Sequence, residues 1–385
     1  MRVLQTPVRF HPETGGVESA VYELSTRLHD RGHAVRVLCA DTGVGEQRET
    51  VDGVAVRRLW SPHSLANTNL TPSLPAAILS HARWADVIHT HLPTPWSADV
   101  SALAGALTRT PVVLTYHNDV VGEGLFEYVA RLYNSTGQWL TLTLVDRVLV
   151  TRPGYSDESP HLQSVTDKIQ TVYNGVDVDR FRPFEVSEDR ARNLGYDPDR
   201  PTLFFLSVLD EFHEYKGLMD LLEAVAILAN GGSDSPNLVV GGAGPRRPSY
   251  EQRATELGIE DDVTFVGYVP PADLPSAYNA ADAFVLPSVS STQEGFGLVV
   301  LEALACETPV VTTDVVGVAD EIAAQNFGRV VAPNDPARLA DGIATVLEGD
   351  PDTAAGRRRC VEQYSWTESV DRLLEIYDDV CGGSV

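Results

Sequence analysis

Short apolar runs alternate with amphipathic stretches along the first half of the chain. Residues 1–6 are predicted to form a strand, and residues 16–29 then repeat apolar side chains at helical spacing until Gly32 ends the pattern. Residues 34–40 predict a second strand. Further apolar runs predict strands at residues 54–59, 87–91, 112–116, 147–151 and 169–173. This rhythm of strand, helix and strand is typical of a parallel sheet with crossover helices.

The rhythm breaks between residues 174 and 200, where the turn signals are Asn174-Gly175, Arg182-Pro183 and Asp197-Pro198. The pattern then resumes, with strands predicted at residues 202–208, 237–242, 263–267, 283–287 and 309–313. We therefore predict two α/β domains, residues 1–182 and 183–365, and a last helix at residues 366–385 that crosses back to the first domain. Ligands of open α/β sheets bind at the carboxyl ends of the strands, so we expect one site in a cleft that both domains line.

The chain is strongly acidic. Its 54 aspartates and glutamates face 29 basic residues, which gives a formal net charge of −25 over 385 residues. Only Lys168 and Lys216 are lysines, and the other basic residues are arginines. We interpret this composition as adaptation to a high-salt cytoplasm, since a dense carboxylate surface keeps a protein hydrated where the Debye length falls to about 3 Å at 1 M salt. The absence of a basic stripe argues against nucleic-acid binding.

The sequence predicts a cytoplasmic location. No apolar run reaches the roughly 18 residues that a membrane span needs, and the N-terminus lacks the features of a signal peptide. The four cysteines, Cys39, Cys306, Cys360 and Cys381, lie far apart and show neither metal-binding spacing nor a disulfide framework. We therefore expect reduced thiols.

The strongest candidate for a functional site is the segment of residues 288–302, in which a polar loop follows a strand and leads into an apolar helix. A helix N-terminus presents free N–H groups and a partial positive charge, which suit a phosphate. Gly295 and Gly297 allow a ligand to approach the backbone closely. Glu294 and Glu302 could accept paired hydrogen bonds from the hydroxyls of a sugar and a ribose. The structural alternative is an acid at a helix start and a solvated helix glutamate.

The spacing of Glu294 and Glu302 resembles the E-x7-E motif of the retaining glycosyltransferases of family 4, which have the GT-B fold. The similarity extends over nearly the whole chain and keeps the family's order. Besides the motif, the matching segments are residues 15–18, 86–91, 111–117, 174–183, 242–245, 265–267 and 278–282. The resemblance implies two Rossmann-like domains that face a central cleft. It also implies an enzyme that moves a sugar from a nucleotide-diphosphate sugar to a hydroxyl acceptor with retention of configuration.

The resemblance assigns roles to individual residues. It implies that Glu294 orients the donor sugar, that Lys216 binds the diphosphate, and that His117 lies beside the reacting sugar, where it positions a hydroxyl and stabilises charge. Glu302 would hold the ribose, and residues 267–268 would border the base. The donor-binding residues implied in this way are Gly15, Gly16, Gly267, Tyr268, Gly295, Phe296, Gly297, Leu298, Val299 and Glu302.

The resemblance also indicates the partners. The donor is expected to be a UDP- or GDP-sugar, and neither a cofactor nor a metal is required. The acceptor is expected to be a carbohydrate or a lipid-linked glycan, which would bring the protein to the inner face of the membrane. No basic amphipathic helix predicts such peripheral association, and the loops at residues 63–75 and 118–126 carry no readable code for the acceptor.

The chain departs from the family pattern at the start of the second domain. The family usually has an arginine after the first strand of that domain, and Val208 stands in its place, although Lys216 and Gly217 remain. One of two expected diphosphate cations is therefore missing, and His213 or a nearby arginine could substitute. Glu307 also stands where the family often has glycine. The structural alternative for Lys216 is an exposed lysine at a helix start.

Other classes of protein stay open at this point. The missing arginine leaves room for a sugar-nucleotide-binding protein with weakened catalysis, and a nucleotide-sugar epimerase or hydrolase of GT-B shape is a further alternative. Gly15 and Gly16 are not part of a dinucleotide fingerprint, which disfavours an NAD enzyme. His89, His91 and His117 could form a zinc site, but the usual companion ligands are missing, so His89 and His91 are interpreted as structural residues at strand ends.

Overall fold

The computed structural model describes residues 1–13, 15–41, 43, 46–65, 68–120, 125–231, 235–291, 293–294 and 296–382. The chain divides into two units, one formed by Met1–Asn174 with Trp366–Val385 and the other by Gly175–Ser365. Each unit is built on a largely parallel sheet with helices packed against it. The predicted α/β class is therefore confirmed.

Helices separate most strands of the first unit, but the five strands within residues 34–70 follow one another with no helix between them in the described residues. In chain order they are β1 (Arg2–Thr6), β2 (Ala34–Asp41), β3 (Gln47–Val51), β4 (Val54–Trp60), β5 (His63–Leu65), β6 (Thr68–Leu70), β7 (Val87–Leu92), β8 (Val112–Tyr116), β9 (Arg147–Val150) and β10 (Ile169–Thr171). Within the described ranges, eight of them form one sheet in the order β10-β9-β8-β7-β1-β2-β4-β3, and β5 pairs with β6 in a hairpin. Neighbours in the large sheet run parallel, except that β3 is antiparallel to β4.

Both faces of this sheet are apolar because successive strand residues point to opposite sides and helices cover both. Leu4 and Ile88 face one core cluster, and Val3 and Val87 face the other. The helices that precede the second unit are α1 (Gly16–Asp30), α2 (Leu74–Ala82), α3 (Ser97–Thr108), α4 (Leu125–Tyr133), α5 (Trp139–Leu144) and α6 (Tyr155–Glu158). Helices α2, α3 and α5 contribute to the first cluster, and α1 contributes to the second.

The second unit repeats the plan with a smaller sheet. Its strands are β11 (Thr202–Leu206), β12 (Asn237–Gly241), β13 (Val263–Gly267), β14 (Ala283–Leu286), β15 (Val310–Thr313) and β16 (Gly328–Val331). In the described part of this unit they form a six-stranded parallel sheet in the order β13-β12-β11-β14-β15-β16. The strand order reverses between β11 and β14, and at such a reversal an open α/β sheet is expected to have a ligand-binding crevice at its carboxyl edge.

Helices connect these strands, and within the described residues three further helices follow the last strand. They are α7 (Glu188–Asn193), α8 (Leu218–Asn230), α9 (Arg247–Leu257), α10 (Leu274–Ala280), α11 (Leu298–Ala305), α12 (Ala319–Gln325), α13 (Pro336–Glu348), α14 (Thr353–Gln363) and α15 (Trp366–Val380). Among the helices that the structure describes, none combines the length and apolar character needed to cross a bilayer.

Helix α15 is part of the first unit. Val370, Leu373 and Tyr377 on its apolar face belong to the same core cluster as helix α1. At its start, Ser369 Oγ donates a hydrogen bond of 2.8 Å to the carbonyl oxygen of Tyr173. Burial of one face of this amphipathic helix therefore fixes its side chains against the sheet of the first unit.

Four of the described strands are not predicted from the sequence. The short hairpin strands β5 and β6 lie in the segment that was expected to be a loop, and β3 and β16 are missed for different reasons. Strand β3 is polar and largely exposed at the sheet edge, and its only signal is the turn at Asp52 and Gly53, whose φ angles of 44° and 81° suit a hairpin. Strand β16 begins at Gly328, where an added Cβ would lie 1.9 Å from the carbonyl oxygen of Val310. A glycine that permits such close approach weakens the apolar pattern that would otherwise mark a strand.

Candidate active site

The crevice of the second unit is flanked by the two loops in which the sequence predicts catalytic residues. Lys216 ends the short 3-10 helix Glu211–Lys216, which follows β11, and Glu294 lies on the loop between β14 and α11. The loops touch at Gly217, whose φ is 78° and where an added Cβ would lie 2.0 Å from the carbonyl oxygen of Pro287. Only glycine fits this contact, which holds the end of one loop against the start of the other.

Lys216 and Glu294 form an ion pair. The ammonium nitrogen Nζ lies 2.8 Å from Oε2 and 3.1 Å from Oε1 of the carboxylate. Glu294 is only 3% exposed, and a buried carboxylate is stable only when its charge is paired and hydrogen-bonded. Ser288 adds a hydrogen bond of 2.5 Å from Oγ to Oε2. The resemblance assigns the lysine and the glutamate to different parts of the donor, and the structure brings the two side chains into direct contact.

Tyr215 completes the surroundings of the lysine. Its hydroxyl is hydrogen-bonded to Lys216, and Nζ lies 5.1 Å from the centroid of its ring. Burial alone would lower the pKa of Lys216, but the attraction of Glu294 and Tyr215 outweighs burial and raises this pKa above its ordinary value. Lys216 is therefore a cation at neutral pH. An ammonium has three N–H donors, so a phosphate oxygen that binds Lys216 would replace at least one of these contacts.

The start of helix α11 lies next in sequence to Glu294. Gly297 caps the helix with a φ of 80°, and an added Cβ there would lie 2.7 Å from Cγ1 of Val316. Leu298 and Val299 form the first turn, where backbone N–H groups have no partner four residues earlier in the helix. Together with the helix dipole, these amides favour an anion at this end.

The other predicted residues of this segment have different environments. The ring of Phe296 is 3% exposed and packs edge-on against Tyr364 with 5.4 Å between centroids, so it belongs to the core. Glu302 is half-buried on α11 and accepts a hydrogen bond of 2.7 Å from the hydroxyl of Tyr278. Burial raises the pKa of Tyr278 well above its ordinary value, so this hydroxyl keeps its proton. Gly295 lies outside the described residues.

Gly267 and Tyr268 lie where β13 ends. The backbone N–H of Gly242 donates to the carbonyl oxygen of Gly267 at 2.7 Å, which ties the ends of β12 and β13 together. The side chain of Tyr268 is 66% exposed. A large aromatic face at the carboxyl edge of the sheet is suited to stacking against a base.

The loop that lacks the expected arginine contains paired charges. Val208 is half-exposed, and the two proposed substitutes for the arginine both have acidic partners. His213 Nδ1 lies 2.7 Å from Oδ1 of Asp210, which also accepts the backbone N–H of His213 at 3.0 Å. Arg246 forms an ion pair with Glu214. A diphosphate would therefore compete with a carboxylate for either side chain, as it would compete with Glu294 for Lys216.

Gly15 and Gly16 lie at the N-terminus of helix α1 in the first unit. Gly15 has an extended backbone with a φ of 178°, which any residue adopts. Gly16 is the first residue of the helix, and a Cβ added there would meet nothing within 4 Å. The helix start is thus open at Gly16, as an approaching ligand would require.

His117 follows strand β8. Its Nε2 lies 3.3 Å from Nδ1 of His91, and the two rings are stacked with 5.5 Å between centroids. Burial lowers the pKa of His117 to about 4. His117 is consequently neutral at neutral pH and can act on a ligand as a hydrogen-bonding group, not as a cation.

His89 and His91 lie inside strand β7, and neither side chain is exposed. The expectation that both are strand-end residues is therefore wrong for His89, which is in the middle of the strand. Polar side chains so deeply buried need hydrogen-bond partners, and each ring has them on both nitrogens. In the part of the chain that the structure describes, no three His, Cys, Asp or Glu side chains are grouped to hold a metal ion.

Sequence reasoning missed four polar side chains that contact the predicted residues: Tyr215, Ser288, Gln5 and Tyr377. Ser288 could have been found, because it lies two residues after strand β14 in the loop already singled out. Gln5 had a weaker signal, as a polar residue that follows the apolar Val3 and Leu4 in the first strand. Tyr377 had none, since an aromatic residue on the apolar face of a helix predicts core packing.

Comparison with known proteins defines the class. The profile described as "Glycosyltransferase Family 4" matches residues 14–180, and the profile described as "Glycosyl transferases group 1" matches residues 187–375. The chain therefore belongs to the family 4 glycosyltransferases of group 1, and it is a sugar-transferring enzyme of the hexosyltransferase type. The family suggested by the sequence motifs is confirmed.

Individual relatives agree with this assignment. The chain is 31% identical to D-inositol 3-phosphate glycosyltransferase 2 of Catenulispora acidiphila, over 95% of this chain and 90% of that protein. It is 28% identical to phosphatidyl-myo-inositol mannosyltransferase of Mycobacterium tuberculosis, over 96% and 94% of the two chains. Among solved structures, Anabaena HepE in complex with UDP and glucose matches with a TM-score of 0.78 at 19% identity, over 98% and 100% of the chains. The GT-B fold is thereby confirmed.

Proposed function

We propose that this glycosyltransferase uses a nucleotide-diphosphate sugar as its donor and retains the configuration of the anomeric carbon. The observation that carries the proposal is the ion pair of Lys216 and Glu294 next to the start of helix α11. A lysine and a helix N-terminus suit a diphosphate, and a carboxylate suits sugar hydroxyls. The crevice at the strand-order reversal thus offers groups for both halves of such a donor.

Lys216 and the start of α11 would stabilise the leaving group. When the bond between the anomeric carbon and the diphosphate breaks, negative charge grows on the leaving phosphate oxygen. The raised pKa of Lys216 keeps the ammonium charged at this moment, and the N–H groups of Leu298 and Val299 add fixed dipoles. One such preorganised donor typically lowers a barrier by about 3 kcal/mol.

Glu294 would orient the sugar. Lys216 and Ser288 hold the carboxylate in place. The lone pairs that they leave free therefore point in a fixed direction. Retention then follows if the acceptor hydroxyl attacks from the face that the diphosphate leaves and a donor phosphate oxygen takes its proton. His117 would accept a hydrogen bond from a sugar hydroxyl, and Glu302 would hold the ribose.

The comparisons support an order in which to test donors and acceptors. The HepE structure contains UDP and glucose, so UDP-glucose is the first donor to test and GDP-sugars are the second. The names of two relatives contain inositol phosphate and phosphatidyl-myo-inositol, which supports a polyol or lipid-linked acceptor. A lipid-linked acceptor would bring this enzyme to the inner face of the membrane. The net charge of −25 supports a further part of the proposal, namely that the enzyme works in a high-salt cytoplasm.

A thermal-shift screen against UDP, GDP, ADP and TDP in molar salt tests the donor. A nucleotide at about 100 times its Kd stabilises the folded protein by about 2.7 kcal/mol, so one base should raise Tm clearly above the others. No shift with any of the four would contradict the proposal. With the selected donor, NMR of the product should show the anomeric configuration of the donor, and donor consumed at the same rate without acceptor would instead favour a hydrolase or epimerase.

A further inference from the structure

A continuous chain of hydrogen-bonded side chains runs through the first unit from His117 to Tyr377 on helix α15. His117 Nε2 lies 3.3 Å from His91 Nδ1, and His91 Nε2 lies 3.0 Å from Gln5 Oε1. Gln5 Nε2 lies 3.3 Å from His89 Nδ1, which also contacts the Tyr377 hydroxyl at 2.6 Å. We call these five residues the histidine relay. Four of them are fully buried, and His117 is partly exposed at its end.

All three imidazoles of the relay are neutral at neutral pH. Burial, with a smaller contribution from His117, lowers the pKa of His89 to about 3. Burial and the two neighbouring rings hold the pKa of His91 well below its ordinary value, and burial lowers that of His117 to about 4. A neutral imidazole has one N–H and one lone pair. Each contact along the relay therefore needs one donor and one acceptor. Once the direction of one hydrogen bond is set, the directions of the neighbouring hydrogen bonds are set as well.

Tyr377 sets the direction at its end of the relay. A phenol is a far stronger acid than an alkyl hydroxyl, so its O–H is the better donor and the hydroxyl of Thr115 is the better acceptor. Tyr377 then donates to His89 Nδ1, and the proton of His89 lies on Nε2, which donates to Thr115 Oγ1 at 2.7 Å. Gln5 also turns its amide NH₂ toward His89 Nδ1, at 3.3 Å against 2.6 Å for the Tyr377 hydroxyl, so the two donors share the single lone pair of this nitrogen. This orientation turns Gln5 Oε1 toward His91.

The direction then passes to His117. Because an amide oxygen only accepts, His91 must donate from Nε2 to Gln5 Oε1. His91 Nδ1 is left with a lone pair, which accepts the N–H at Nε2 of His117. His117 Nδ1 consequently carries no proton. The opposite orientation of the Gln5 amide would reverse every bond and place an N–H at that atom.

We propose that Tyr377 is a positioning residue: through the relay it holds His117 in the tautomer with Nε2 protonated and Nδ1 free to accept. The inference rests on the proposed function in one respect, namely that His117 Nδ1 accepts a hydrogen bond from a sugar hydroxyl. The reverse tautomer would present a donor where an acceptor is needed. Helix α15 thereby acts on the reaction through a hydroxyl that touches no substrate.

NMR of the full-length protein labelled with ¹⁵N at histidine reports the tautomer directly, because protonated and unprotonated ring nitrogens resonate at different frequencies. The His117 signals are assigned by their loss in His117→Gln. In the wild type at neutral pH we expect a protonated Nε2 and an unprotonated Nδ1. A protonated Nδ1 would overturn the proposal.

Two variants interrupt the relay at different points. Tyr377→Phe removes only the phenol hydroxyl, and Gln5→Met removes the amide in the middle; both should give a mixture of His117 tautomers. Tyr22→Phe is the matched control, because it removes a phenol on α1 that donates to Asp52 and should leave the tautomer unchanged. A His117 tautomer that is the same in both relay variants as in the wild type would refute the positioning role.

Activity separates this inference from the proposed function. In Tyr377→Phe, kcat should fall by the same factor as the population of the competent tautomer, about twofold where the two tautomers become equal, with KM for the donor less affected. A changed tautomer with an unchanged kcat would confirm the relay but remove His117 from its proposed role. A reduced kcat with an unchanged tautomer would refute the relay and leave the proposed function intact.

Discussion

The two units bury titratable side chains in different charge states: charged in the second unit and neutral in the first. In the second unit, Lys216 and Glu294 are buried as an ion pair, and the pKa of Lys216 is raised. In the first unit, His89 and His91 are fully buried and His117 partly buried beside them, without an acidic partner in the relay, and the pKa of each is lowered. Burial disfavours charge in both places, and the presence or absence of an opposite charge decides the outcome.

The difference suggests that the two sites act in different ways, the ion pair through its charge and the histidines through hydrogen bonds. A group that stabilises a leaving diphosphate must be charged, and its counter-charge must already be present when no ligand is bound. A group that positions a sugar hydroxyl needs a fixed lone pair, which a neutral imidazole with a defined tautomer provides. The following changes test this contrast.

Replacing Lys216 with methionine should have the largest effect. The change leaves the carboxylate of Glu294 buried without its counter-charge, so the free energy of unfolding should fall by about 3–5 kcal/mol, and transfer should be lost. The double variant Lys216→Met with Glu294→Gln removes both charges and should recover most of the stability but none of the activity. Urea unfolding and a transfer assay measure the two effects.

The other lysine supplies a matched control. Lys168 donates to the carbonyl oxygens of Thr143 and Val145 at the C-terminal end of α5, at 2.7 Å and 2.9 Å. Lys168→Met should cost about 1 kcal/mol of stability and leave transfer unchanged. Equal losses of activity in the two lysine variants would remove the special role of Lys216.

Replacing Glu294 with glutamine should act on catalysis more than on folding. The amide keeps the size of the side chain and one acceptor oxygen for Ser288, while the negative charge is lost. We expect kcat to fall about 100-fold or more, with a smaller loss of stability than in Lys216→Met. Glu260→Gln, at an exposed position, is the control. A Glu294→Gln enzyme with wild-type kcat would show that this carboxylate does not orient the donor.

The histidines should make stability depend on pH. Their folded-state pKa values lie below the unfolded value of about 6.5, so the unfolded chain binds more protons as the pH falls. Stability is therefore fully present above about pH 6.5 and is lost toward the folded values, at up to about 1.4 kcal/mol per pH unit for each buried histidine. In His89→Asn, urea unfolding between about pH 7 and about pH 5 should show a slope smaller by this amount. A slope equal to that of the wild type would mean that His89 is not held neutral.

Changing the salt concentration should have the smallest effect on stability. It should distinguish the repulsion among surface charges from the buried ion pair. The net charge of −25 implies self-repulsion at the surface, so Tm should rise between about 0.1 M and about 1 M salt as the Debye length shortens. The buried pair is screened much less, so the stability loss in Lys216→Met should be the same at both concentrations. A loss that disappears in high salt would mean that solvent reaches the pair.

The fold and the individual site residues could be predicted from the sequence more fully than their contacts. The alternation of apolar strands and helices predicted most strands of both sheets, although not β3 or β16. The ordered motifs pointed to His117, Lys216 and Glu294. The contact of Lys216 with Glu294 joins positions 78 residues apart in sequence, across the strand-order reversal. No local pattern encodes such a contact, because it depends on which strands become neighbours in the sheet.

The histidine relay was harder still to predict. Tyr377 and His89 are separated by 288 residues and meet only because helix α15 packs on the first unit. Periodicity correctly indicates that Tyr377 is on the apolar face of its helix. It cannot indicate that the hydroxyl at the end of that ring meets an imidazole in the core.

Binding of UDP and of uridine to the wild type and to Lys216→Met, measured by calorimetric titration, tests the central claim most directly. Should the thermal-shift screen select another base, the corresponding pair replaces them. If Lys216 binds the diphosphate, the wild type binds UDP far more tightly than uridine, and Lys216→Met loses about tenfold or more in affinity for UDP while its affinity for uridine is unchanged. Equal affinity of the two proteins for UDP would contradict the assignment of the diphosphate to Lys216.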